Sequence, residues 1–158
     1  MTLRDDIKFI HLNCHSSYSL LEAVPSMKAL AKKAKEYGMP AIGVCDTNNL
    51  FGAVEMDKYV ASEGIQPIIG MQLGITLPKE DSNSLITPMG YITVLVQNEI
   101  GWRNLIKLAS KASLEAPEHS SPQVPLETFL SMNDGLLMMT GNAREGFFGQ
   151  LIRRDEAS

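Results

Sequence analysis

Short apolar runs alternate with amphipathic helical patterns along this chain, and that alternation restricts its fold more than any other feature. AIGVC at 41–45, QPIIGMQLGITL at 66–77 and YITVLV at 91–96 read as buried strands. IKFIHLNC at 7–14 reads as a strand before them, and GLLMMT at 135–140 as one after. A helix is expected at 25–37, with Pro25 in its first turn, Met27, Leu30, Ala31 and Ala34 on one face, and Gly38 at its end. A second helix at 52–63 stops at Gly64, and Asn98 caps a third, EIGWRNLIKLASKA. LETFLSM and EGFFGQLIRR read as two more helices, while KEDSNSLITPMG and EAPEHSSPQVP read as loops. This order implies parallel βαβ units in an α/β fold. The 158 residues suit a single domain, 1–158. About five strands are too few for a closed α/β barrel of about eight, so the expectation is an open sheet or the amino-terminal part of a larger barrel.

Charge narrows the function. Lys and Arg number 14 and Asp and Glu 18, a net charge of −4. That balance opposes a nucleic-acid surface built from charge alone, which needs clustered Lys and Arg. Cys14 and Cys45 each close an apolar run and read as buried thiols of a reducing compartment. MTLRDDIKFI lacks the apolar core of a signal peptide, and no stretch approaches ~18 apolar residues, so the reading is a cytoplasmic protein with no membrane span. No Walker lysine pattern, GxSxG, HExxH or CxxC is present.

His11, Asn13 and His15 sit at two-residue spacing, which puts them on one face of a strand. Positions 13 and 15 would lie ~6.6 Å apart, and 11 and 15 ~13 Å apart. Asp46 directly follows the second of the five strands, where parallel α/β folds place ligands, and Gln72 lies on the next. A metal cluster is one reading. The other is structural: Asp46 bonding the amides of Asn48 and Asn49 or capping the next helix, and His11 a satisfied histidine under the barrel.

FIHLNCHSSYSLLEA, GMPAIGVCDTNNLFGAVE, GIQPIIGMQLGI and NEIGWRNLIKLASKA, in this order, resemble the amino-terminal PHP (polymerase and histidinol phosphatase) domain of bacterial replicative DNA polymerase III alpha subunits. The resemblance implies a PHP-type (β/α) barrel, of which this chain is the amino-terminal part. It implies that the palm, fingers and thumb, with the aspartates that hold Mg²⁺, lie further along the parent, and that this segment has no cofactor of its own. In metal-bearing members the first strand carries His-x-His, matched here by Asn13 and His15; the Asp-His pair is matched by Asp46 and Thr47, and a Glu by Gln72. A strand-initial His is matched by Tyr91, and a Ser-Gly-Cys element by Thr140, Gly141 and Asn142. His11, Asn13, His15, Asp46, Thr47, Gln72, Tyr91 and Asn142 would then be the remnant of a pocket without metal or catalytic residue. Neutral amides and hydroxyls cannot offset several cations, but they can pair with His15 and Asp46. The implied role is a scaffold for the polymerase, with the rest of that chain, a proofreading exonuclease subunit and other replisome subunits as partners, and with DNA met through the parent. The alternative is an active metal-dependent phosphoesterase or 3′–5′ exonuclease with His15 and Asp46 as ligands; a free-standing small-molecule binder is a third reading.

Overall fold

The computed structural model describes residues 8–76 and 90–156. The loop expected at 79–90 lies outside them except for Gly90, as does Ile7 of the expected first strand. The elements are α1 (Met27–Glu36), β1 (Ala41–Thr47), α2 (Ala53–Ser62), β2 (Gln66–Thr76), β3 (Gly90–Val96), α3 (Glu99–Leu114), β4 (Val124–Pro125), α4 (Leu126–Leu130), β5 (Leu136–Met139) and α5 (Phe147–Glu156). They form two compact units, Met1–Asp46 with Leu50–Gly70, and Thr47–Asn49 with Met71–Ser158.

In the first unit α1 starts where the Ser26 hydroxyl accepts a hydrogen bond from the Ala29 amide, and it stops at Gly38, whose φ of +67° suits a residue without Cβ. Met27, Ala31 and Ala34 are the buried face, as their spacing requires. They share a core with Met56 and Val60 of α2, Ile42 and Val44 of β1, and Met39 and Ile65. Each large side chain buried there contributes about 1.5–3 kcal/mol. β1 is buried from Ala41 through Asp46, so it reads as a continuous apolar run rather than an alternating one.

The expected strand at 7–14 is not a full strand. It pairs with β1 through a single parallel bridge, Cys14 to Val44. The Gly43 amide donates to the His11 carbonyl, the Cys14 amide to Gly43, and the Cys45 amide to Cys14. A Cβ on residue 43 would lie 2.6 Å from the Leu12 carbonyl oxygen, so this close pass depends on glycine. Phe9 and Leu12, counted as apolar weight for a strand, are exposed, and no burial sustains a longer ladder.

In the second unit Met71, Leu73 and Ile75 of β2 and Ile92 and Val94 of β3 are fully buried, as are Leu105, Leu108 and Ala112 of α3. Asn98 caps α3 through its side-chain oxygen, which accepts from the Gly101 amide. β2, β3 and β5 are neighbours in that order, and β4 pairs in parallel with β2, Ile75 opposite Val124. β4 falls inside a stretch expected to be a loop.

The parallel expectation fails where β5 meets β3. β5 runs antiparallel to β3, with Val96 opposite Leu136 and Thr93 opposite Met139. The chain enters β5 at the exit of β3: the Gln97 amide donates to the Gly135 carbonyl, and Gly135 packs on Gly101, where a Cβ would collide. From that entry the strand can only run back along β3. Five strands are present among the described residues, but 7–14 is replaced in that set by β4.

Candidate functional site

The residues singled out in the sequence divide between the two units. In the first, the Asp46 carboxylate is buried at the carboxyl end of β1. It accepts hydrogen bonds from the Ser16 amide (2.7 Å), the Ser16 hydroxyl (2.7 Å) and the Ser19 hydroxyl (2.6 Å). Both serines are themselves buried. A buried charge is tolerated when it is hydrogen-bonded in this way, and a short bond to an ionised acceptor is among the stronger kinds. Asp46 does not cap α2, whose N-cap is Gly52, and the Asn48 amide donates to the Gln72 carbonyl. His15 Nδ1 lies 3.4 Å from Glu22 Oε2.

Asn13 and His11 are exposed, so His11 is not a histidine under a barrel. The His11 ring packs edge-on against Phe9 with centroids 4.7 Å apart. Burial pushes the thiols of Cys14 and Cys45 above their ordinary range, Cys45 strongly. The Tyr18 hydroxyl is also pushed up, by the carboxylate of Glu55 beside it, to which it hydrogen-bonds.

In the second unit the Thr47 hydroxyl donates to Gln72 Oε1 at 3.2 Å. The turn after β1 is held by Asn48, whose φ of +54° is one that asparagine tolerates. Its amide donates to the Gln72 carbonyl and its side-chain oxygen accepts from the Gly74 amide. Tyr91 and Asn142 are linked through one loop: the Tyr91 amide donates to the Glu145 carbonyl, and Asn142 Oδ1 accepts from the amides of Arg144 and Glu145. Asn142 is thus a turn-forming residue.

This donor set does not fit a metal cluster. Asn13, Thr47 and Gln72 are neutral, and both Asp46 oxygens are engaged by serine donors. Among the described residues no group of three or more His, Cys, Asp or Glu side chains is placed to hold an ion. Ser16, Ser19 and Glu22 were not singled out in the sequence, and Asn48 was named only for its backbone amide. The signal for the first three was present, since HSSYSLLE sets two hydroxyls three residues apart just after the bridge to β1.

The PHP domain model matches residues 11–158. This chain belongs to the PHP domain family. Among PHP relatives, the DNA polymerase III subunit alpha of Caulobacter vibrioides is 36% identical over 133 residues, covering 84% of this chain and 12% of that protein. That of Treponema pallidum is 36% identical over 138 residues, covering 85% and 12%. That of Escherichia coli K12 is 30% identical over 151 residues, covering 96% and 12%. The PHP chain described here thus spans about an eighth of the length of these relatives. Among the described residues no helix is long and apolar enough to cross a membrane.

Proposed function

We propose that this chain is the PHP segment of a bacterial replicative DNA polymerase III alpha subunit and serves it as a metal-free scaffold in the cytoplasm. The observation that carries the reading is the Asp46 carboxylate, whose two oxygens are engaged by Ser16 and Ser19. The one acid at the matched places tethers the loop after the bridge to β1, so its role is structural. The neutral Asn13, Thr47 and Gln72 support the same reading, because a multi-ion site needs anionic or basic donors. The partners in this proposal are the rest of the polymerase chain, a proofreading exonuclease subunit and other replisome subunits. Mg²⁺ belongs to the polymerase active site elsewhere in the parent.

The test is functional. The chain is titrated against primed and duplex DNA by fluorescence anisotropy near physiological salt, and assayed on labelled primers with Mg²⁺, Mn²⁺ and Zn²⁺. Weak binding without extension or degradation is expected, since the net charge of −4 opposes attraction to phosphate. Metal-stimulated shortening of the primer that disappears in Asp46→Asn would support the phosphoesterase reading instead.

A further inference from the structure

Helix α1 concentrates positive charge in a chain that is acidic overall. Met27–Glu36 holds four lysines and one glutamate, while the whole chain carries −4. Lys28, Lys32 and Lys35 stand at i, i+4 and i+7, so they share one stripe about 10 Å long, beside the buried Met27, Ala31 and Ala34. All three lysines are exposed. Lys33 lies off the stripe and is engaged elsewhere, bonding Glu36 at 3.0 Å and packing over the Tyr37 ring.

One acid faces the stripe. Lys35 Nζ lies 2.9 Å from Oε2 of Glu63, the residue that follows α2. The Glu63 carboxyl is held below its ordinary range, first by the hydrogen bond from Lys35 and then by the charges of Lys35, Lys32 and Lys28. All three ammonium groups are therefore within electrostatic reach of one point. Among the described residues neither Lys28 nor Lys32 forms an ion pair. The arrangement also works against the helix. Lysines three and four residues apart repel each other, and α1 has no acid in its first turn, where Lys28 opposes the helix dipole. The fold sets one carboxylate against three cations, which leaves the stripe positive.

We propose that Lys28, Lys32 and Lys35 dock the phosphate backbone of duplex DNA. This rests on the reading of the chain as a polymerase segment. Charge density selects the occupant. A duplex carries one negative charge per about 1.7 Å of its axis in a fixed array, and a helix holds its lysines in a row that such an array can meet. The overall charge of −4 repels a sparse polyanion, so only a dense one gains at so local a site. The contact is weak in the chain by itself and adds to a grip made elsewhere in the parent. Lysine–phosphate contacts carry no sequence information, which suits a segment that must travel along any template.

The experiment titrates labelled duplex DNA with the polypeptide as its source produces it, by fluorescence anisotropy between about 50 and about 200 mM salt. Each lysine–phosphate contact contributes about 0.9 to the slope of log affinity against log salt concentration. Lys28→Gln with Lys32→Gln should make that slope shallower by about 1.8. Glu63→Gln, which releases Lys35, should steepen it by about 0.9. Lys107→Gln, at an exposed position of α3, should leave it unchanged. An equal change on Lys107→Gln would show a diffuse effect of charge and overturn the stripe. Primer extension by the unsubstituted polypeptide is assayed in parallel. Extension together with an unchanged slope in the Lys28 and Lys32 variant would overturn the stripe and leave the polymerase reading standing. Neither extension nor duplex binding by the unsubstituted polypeptide would overturn both. Tighter binding of a polyglutamate peptide than of the duplex, lost in the Lys28 and Lys32 variant, would assign the stripe to an acidic protein and overturn DNA as its occupant.

Discussion

Ser16 reaches both oxygens of the Asp46 carboxylate, its amide 2.7 Å from Oδ1 and its hydroxyl 2.7 Å from Oδ2. The residue next to His15 in sequence thus ties its loop to the end of β1 through a buried acid.

Replacing Asp46 by Asn should destabilise the chain by about 2–4 kcal/mol, because an amide presents donors where hydroxyls and an N–H already donate. Ser19→Ala should cost less, about 1–3 kcal/mol, since it removes one of three bonds and leaves the carboxylate partly satisfied. Urea unfolding followed by circular dichroism measures both. An Asp46→Asn variant as stable as the parent would show that the carboxylate is not a tether.

Gly43→Ala should weaken the association of residues 11–14 with β1. The new methyl would meet three backbone atoms of Leu12 at 2.6–2.8 Å, and backbone cannot swing aside as a side-chain tip can. A loss of about 1–3 kcal/mol is expected. Amide exchange at Cys14 and Cys45 should accelerate more than in α1, which the substitution does not touch.

The thiol of Cys45 is raised by burial, and this gives stability a defined pH dependence. The folded state holds the proton that the unfolded chain releases above about pH 8.5. The unfolded state then binds fewer protons, so the contribution is complete below that pH and declines as pH rises above it. Cys45→Ala should remove this part of the decline between about pH 9 and 10.5, seen as the difference between the two unfolding curves. Cys45 should also resist iodoacetamide at neutral pH until the chain is unfolded.

Protein purified without chelator should contain no stoichiometric zinc, manganese or iron, and His15→Ala should not change its metal content. Elemental analysis by plasma mass spectrometry reads this directly. One ion per chain, lost in the His15 variant, would restore the phosphoesterase reading.

Much of the fold is determined locally. The Met27, Ala31 and Ala34 spacing and the stop at Gly38 set α1, and the apolar runs at 41–45, 66–77 and 91–96 correspond to β1, β2 and β3, because side-chain periodicity and turn chemistry act over a few residues. The neutral character of Asn13, Thr47 and Gln72 was also legible, since residue identity alone limits what a pocket can ligate. Pairing was not. The antiparallel run of β5 depends on where Gly135 meets Gly101, and the shrinkage of 7–14 to one bridge depends on which of its apolar residues find a core. Nor does sequence spacing reveal that Asp46 faces Ser16 and Ser19, separated from it by 30 and 27 positions. Local patterns determined the helices and β1, β2 and β3; contacts between distant segments decided strand direction, the fate of 7–14 and β4, and the partners of the Asp46 carboxylate, because burial and hydrogen-bond satisfaction are settled only when those segments meet.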